Sequence, residues 1–127
     1  MRVFKNKSFV RFAKKAKISD TALCKAIADA ERGLIDADLG GGVIKQRVAR
    51  SSEGKSGGFR TMILFRTGTR AFFVHGFAKN QQDNISDKEL IALKLFASKM
   101  LNYNEIELAQ MLDKNILVEV NFDEKTI

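Results

Sequence analysis

The sequence predicts an α+β domain in which strands occupy the middle of the chain, with helices before and after them in the sequence. Apolar residues recur at the helical spacing of three and four before residue 34 and again after residue 85. Between residues 43 and 79, runs rich in Phe, Ile, Val and Thr are typical of strands. A chain of 127 residues is long enough for one hydrophobic core. We therefore expect a single domain over residues 1–127: a helical hairpin (1–33), a basic β-meander (43–79), and C-terminal helices with a tail (86–127).

The helical hairpin is predicted from two apolar stripes. The first lies on a helix from Ser8 to Lys17. The second follows a cap at Ser19 or Asp20 and ends at Gly33. The stripes consist of Phe9, Phe12, Ala13 and Ala16, and of Leu23, Ala26, Ile27 and Ala30.

Three strands are predicted in the middle of the chain, at residues 43–49, 59–66 and 70–79. The last two are joined by the tight turn Thr67–Thr69, and a glycine- and serine-rich loop at 51–58 precedes them. We expect a small antiparallel sheet that the helical hairpin covers on one face.

Two capping boxes predict the C-terminal helices. Ser86 with Glu89 opens a helix through about Leu101, and Asn104 with Glu107 opens a shorter one through Leu112. Beyond them, apolar residues alternate with polar ones from Ile116 to Phe122, which predicts an edge strand.

Composition excludes several classes of protein. With one cysteine, Cys24, and one histidine, His75, the chain cannot form an internal disulfide or a structural zinc site. It has no apolar run long enough for a membrane span and no secretory signal, so we expect a cytoplasmic protein.

His75, in phase with Phe73 and Phe77, is interpreted as a core residue rather than a catalyst. The triplet at residues 54–56 (GKS) lacks the earlier glycine and the following helix of a P-loop, so we expect no nucleotide-triphosphate site.

Positive charge is concentrated in the first two thirds of the chain. Residues 1–80 contain 17 Lys or Arg and 6 Asp or Glu, whereas residues 81–127 contain 5 and 9. A polyanion is the natural partner of such a region, although a solvated basic surface without a partner has the same composition.

Eight cations lie on or between the three predicted strands, with Glu53 as the only acidic residue among them. Strand alternation places Lys45 and Arg47 on one face together, and Arg60 and Arg66 on one face of the next strand. The eight are Lys45, Arg47, Arg50, Lys55, Arg60, Arg66, Arg70 and Lys79. We interpret them as a phosphate-binding surface, with protection of strand edges by charge as the alternative.

Four stretches of the chain together resemble the RelE/ParE toxin superfamily, and within it the RelE-like and HigB-like toxins of bacterial type II toxin–antitoxin modules. They are residues 45–50 (KQRVAR), 54–61 (GKSGGFRT), 70–74 (RAFFV) and 76–80 (GFAKN). The resemblance implies a RelE-like fold, a cognate antitoxin as partner, and cleavage of mRNA on the ribosome without a metal or small-molecule cofactor. It also implies that Lys45, Arg47, Arg60 and Lys79 form the active site.

Metal-free RNA scission assigns roles to these residues. It needs a base for the ribose 2′-OH, cations for the phosphate charge and an acid for the leaving oxygen. Because arginine stays protonated, Lys45 or Lys79 is expected as base or acid, and Arg47 and Arg60 as phosphate clamps. RNA or phosphate binding is expected from the remaining four cations, Arg50, Lys55, Arg66 and Arg70. Two alternatives stay open: a ParE-like gyrase inhibitor without catalysis, and a nucleic-acid-binding regulator that uses residues 86–112.

Overall fold

The computed structural model describes residues 1–49, 58–78 and 85–121, which form six strands and four helices. The strands are β1 (Arg2–Asn6), β2 (Ala37–Gly40), β3 (Val43–Val48), β4 (Phe59–Arg66), β5 (Arg70–Ala78) and β6 (Leu117–Val120). The helices are α1 (Lys7–Ala16), α2 (Asp20–Glu31), α3 (Asp87–Met100) and α4 (Glu105–Asp113). No helix among these residues is long and apolar enough to cross a membrane.

The strands form one sheet in the order β2-β3-β4-β5-β1-β6. All neighbours are antiparallel except β1 and β5, which are parallel. The mixed α+β class, the β3–β4–β5 meander and the edge strand in the tail are confirmed. The prediction of a small, purely antiparallel sheet is wrong, because β1 inserts between β5 and β6 and β2 extends the opposite edge.

Both faces of the sheet are covered, whereas the sequence predicted a cover on one face. Helices α1 and α2 pack against one face, through a core that includes Phe9, Leu23 and Ile63. Helices α3 and α4 pack against the other, through a core that includes Leu64, Phe72 and Leu108. A six-stranded sheet with apolar residues on both faces needs such a double cover.

Side-chain caps define where the helices begin. The hydroxyl of Ser19 accepts a hydrogen bond from the backbone N–H of Ala22, and both predicted capping boxes, at Ser86 and Asn104, are present. Helix α1 begins at Lys7, one residue earlier than predicted, because Asn6 Oδ1 accepts from the N–H of Phe9 at 2.8 Å.

Glycine at position 76 lets α1 approach the sheet closely. A Cβ at Gly76 of β5 would lie 2.3 Å from Cε2 of Phe12. The Phe12 ring in turn meets the Phe59 ring edge-on, with the centroids 5.6 Å apart. The contact between α1 and the end of β5 therefore depends on the absence of a side chain at this position.

Candidate nucleic-acid interface

The register of β3, β4 and β5 brings basic residues together in two rows across the sheet. One row is Lys45–Met62–His75 and the next is Arg47–Arg60–Phe77. Directly opposed residues of antiparallel strands point to the same face of the sheet. Since Met62 and Phe77 belong to the core under α3 and α4, all six lie on that face. We call Lys45, Arg47, Arg60 and His75 the basic face.

Arg60 lies at the centre of the basic face. Arg47 is directly opposite it on β3, and Lys45 and His75 are its diagonal neighbours on β3 and β5. Diagonal neighbours in an antiparallel sheet are about 7–8 Å apart. The side chains of Arg47 and His75 are exposed, and that of Lys45 is half-buried. The predicted grouping of Lys45 and Arg47 with Arg60 is therefore present in the structure.

The Arg60 side chain is paired with a carboxylate that the sequence analysis did not single out. Its Nε lies 3.1 Å from Oδ2 of Asp36, and the two side chains are only 13% and 28% exposed. The Nη1 of Arg60 is buried and has no hydrogen-bond partner among the described residues. Asp36 directly precedes β2, which was not predicted, so nothing in the sequence pattern placed this carboxylate beside Arg60.

His75 is exposed on the basic face, so its interpretation as a core residue is wrong. The pairing of β4 with β5 is irregular between Met62 and Ile63: Met62 pairs with His75 but Ile63 pairs with Phe73. This bulge at Val74 reverses the phase of β5, because it places Phe73 in the core under α1 and α2 and Phe77 in the opposite core. The His75 ring tilts against the Phe77 ring, with the centroids 5.8 Å apart.

The beginning of helix α3 lies next to the basic face. The pKa of Glu89 is lowered mainly because its carboxylate accepts the backbone N–H of Ser86, and then by the Ser86 hydroxyl and by the charge of His75. The charge of the exposed imidazole therefore acts on the carboxylate of the α3 capping box.

Arg66 and Arg70 lie at the opposite end of β4 and β5, where they hold the end of α3. Arg66 donates from Nη1 to the carbonyl of Leu101 at 2.8 Å and from Nη2 to Oδ1 of Asn102 at 3.1 Å. Arg70 donates to the carbonyl of Tyr103 at 2.8 Å. Six residues of strand separate Arg66 from Arg60 by about 20 Å. The structure does not bring these two cations to the basic face.

The other predicted site residues, Arg50, Lys55 and Lys79, lie outside the described residues. Within residues 1–49, 58–78 and 85–121, no group of three or more His, Cys, Asp or Glu side chains could hold a metal ion.

A comparison with models of known protein families shows which family this chain belongs to. The family described as "RelE toxin of RelE / RelB toxin-antitoxin system" matches residues 1–120. The chain belongs to the RelE toxin family. The match spans every element from β1 to β6, including the two strands that the sequence analysis missed. A search of curated proteins returns no significant match. Membership makes the protein the toxin of a toxin–antitoxin system, and such a RelE-family toxin implies an antitoxin as its partner.

Proposed function

We propose that this RelE-family toxin is an mRNA endonuclease that acts on the ribosome and inhibits translation. The observation that carries the proposal is the placement of Arg60 among Arg47, Lys45 and His75 on one face of the sheet. Two guanidinium groups beside two proton-transfer groups supply the functional groups that metal-free cleavage of RNA requires.

The proposed reaction is internal transesterification of the RNA backbone. The ribose 2′-oxygen forms a bond to phosphorus while the bond from phosphorus to the 5′-oxygen of the next nucleotide breaks. The base removes the 2′-OH proton and the acid donates a proton to the departing 5′-oxygen. The products are a 2′,3′-cyclic phosphate and a 5′-hydroxyl, so the reaction consumes no water, oxidant or reductant.

Arg47 and Arg60 are proposed to hold the phosphate oxygens and to stabilise the charge that grows on them in the transition state. Arginine suits this role because its planar fork of N–H donors matches the geometry of a phosphate and its charge is permanent. Arg47 is exposed and meets the RNA first, whereas Arg60 is held in the sheet by its ion pair.

Lys45 and His75 are proposed as the proton-transfer pair, with Lys79 as the alternative partner of Lys45. In-line displacement requires the base and the acid on opposite sides of the phosphorus. Lys45 and His75 flank Met62 from the two neighbouring strands, so their backbones are about 9–10 Å apart. A phosphodiester lying across β4, over Met62 and Arg60, would have one of them at each end of the reacting bonds.

Single-turnover cleavage on ribosomes programmed with mRNA tests the proposal. Arg60→Ala should lower the rate at saturating ribosomes by about 10²-fold or more, because removing one preorganised donor to a developing oxyanion has that effect. Arg60→Lys should recover only part of the rate, since a point charge cannot replace a planar fork. His75→Gln should lower the rate by about 10²-fold as well if the imidazole transfers a proton.

Arg66→Ala is the matched control, because it removes an arginine from the same strand but not from the basic face. It should leave the cleavage rate within about twofold of the wild type. Equal rates for Arg60→Ala and the wild type would exclude the proposed site. If the toxin cleaves no mRNA with or without ribosomes but inhibits DNA gyrase, the ParE-like alternative is correct.

A further inference from the structure

We infer that Asp36 is a positioning residue, which fixes the guanidinium of Arg60 in the orientation that a phosphodiester requires. The inference rests on the nuclease function proposed above. It concerns a carboxylate in a surface otherwise expected to be purely cationic.

The contact between the two side chains leaves Nη1 of the guanidinium without a hydrogen-bond partner among the described residues. Arginine presents two hydrogen-bonding edges, one that includes Nε and one formed by the two Nη atoms. Oδ2 of Asp36 lies 3.1 Å from Nε, at the first of these edges. Nη1 belongs to the other edge and has no acceptor among the described residues. A buried cationic N–H group without an acceptor is unfavourable, and a phosphate oxygen is an acceptor of matching charge and geometry. Because Nη1 is covered in the free protein, its neighbours must shift when RNA binds.

Asp36 can orient another side chain because its own backbone is fixed. Its N–H group faces both the carbonyl of Lys45, at 3.1 Å, and Oε1 of Gln46, at 3.2 Å. The buried Gln46 in turn donates from Nε2 to the carbonyls of Ala26 and Leu34, both at 2.9 Å. The backbone of Asp36 is therefore held by β3 directly and, through Gln46, by α2 and the segment that follows α2.

The Asp36 carboxylate offsets the repulsion among the cations around Arg60. Arg47 and Arg60 are directly opposed across β3 and β4, and like charges in that relation repel each other. Lys45 adds a third cation on the diagonal. Without Asp36, this repulsion would favour rotation of the Arg60 side chain away from its neighbours. With Asp36, the Arg60 side chain remains beside the other cations, where its guanidinium can contact the phosphate in the transition state.

Asp36→Asn and Asp36→Glu test the inference, with Asp38→Asn as the matched control. Asp38 is exposed two residues further along, and its Oδ1 accepts the N–H of Gly40 at 2.9 Å, which an asparagine oxygen can replace. Asp38→Asn therefore makes the same change in net charge without touching Arg60. The measurements are the single-turnover rate at saturating programmed ribosomes and the ribosome concentration that gives half of it.

We expect Asp36→Asn to lower the saturating rate by at least 10-fold, while the half-saturating concentration stays the same or falls because the surface becomes more positive. Asp36→Glu should recover part of the rate, and Asp38→Asn should stay within twofold of the wild type. A merely structural role would lower the folded fraction without tightening binding, and thermal unfolding of each variant measures that fraction. If the wild type cleaves and Asp36→Asn cleaves equally fast, the inference is wrong and the proposed function stands.

A second measurement does not depend on turnover. The Nε–H resonance of Arg60 is followed by NMR while a 2′-O-methyl RNA oligonucleotide, which cannot be cleaved, is added. We expect this proton to exchange slowly with water in the wild type and in Asp38→Asn, but not in Asp36→Asn. Its chemical shift should change on addition of RNA only in the proteins whose ion pair is intact. If the wild type shows this response but cleaves nothing, the positioning role survives and the nuclease function fails. An Arg60 signal that ignores RNA in every variant overturns the inference.

Discussion

Replacing Gly76 with alanine tests the packing beneath the basic face, since Gly76 lies between His75 and Phe77 on β5. The added Cβ would lie 2.3, 2.6 and 2.9 Å from three ring carbons of Phe12. Carbon atoms in favourable contact are about 3.5–4.0 Å apart, so the ring must move by more than about 1 Å. It is not free to do so, because Phe9 and Phe59 each lie 5.6 Å from it, centroid to centroid.

Overpacking of this kind costs about 1–3 kcal/mol, and the size of the overlap places Gly76→Ala at about 2 kcal/mol or more. For a domain of this size, that lowers Tm by about 6–10 °C. In a Phe12→Ala background the obstacle is gone, and alanine in place of glycine restricts the unfolded chain. There, Gly76→Ala should be neutral or stabilise the fold by about 0.5 kcal/mol.

Urea unfolding of the wild type, both single variants and the double variant measures this change of sign as a coupling free energy. An equal cost of Gly76→Ala in the two backgrounds would refute the steric explanation. So would a cost below about 0.5 kcal/mol in the wild-type background.

Three further predictions concern the charged residues. Arg66→Ala should lower the free energy of unfolding by about 1–2 kcal/mol, measured with urea, because the Leu101 carbonyl and the Asn102 side chain at the end of α3 lose a charged donor. Glu89 has a lowered pKa in the folded state, so it stabilises the fold above its unfolded pKa and this contribution is lost as the pH falls through the folded value. Between neutral pH and a pH below the folded pKa of Glu89, stability should therefore fall more in the wild type than in Glu89→Gln, whose amide still caps Ser86; equal losses would contradict this. Lys45→Ala and Arg47→Ala should each reduce the log–log salt dependence of RNA binding, measured by fluorescence anisotropy, by about one unit, and an unchanged slope would remove that residue from the interface.

The helices and the β3–β5 meander could be predicted because their signals are local. A cap and its helix lie within four residues of each other, as at Ser86 and Asn104, and a hairpin is visible from its turn. Strands β1 and β2 were missed because their short sequences, RVFKN and ADLG, show no apolar alternation, whereas the alternation around the equally short β6 extends from Ile116 to Phe122. The position of β1 is also decided by partners far along the chain, β5 and β6, which no window of sequence contains.

The candidate site was likewise predicted only in part. Alternation along β3 correctly placed Lys45 and Arg47 on one face, and the family resemblance grouped them with Arg60. Alternation failed at His75, because one bulged residue exchanges the two faces of a strand and leaves no clear mark in the sequence. The pairing of Asp36 with Arg60 was also beyond reach, since it depends on where the chain turns into β2.

The position of β1 has a consequence for how the toxin is made. Its neighbours are β5, where Arg2 pairs with Arg70, and β6, where Val3 pairs with Val120. Val3 belongs to the core under α1 and α2, and Phe4 belongs to the core on the opposite face. Strand β1 is therefore needed by both cores, and it is synthesised before the other five strands but waits for its last partner until β6 has been made. A nascent chain cannot complete either core before β6 has been synthesised, because Val120 belongs to one core and Leu117 to the other.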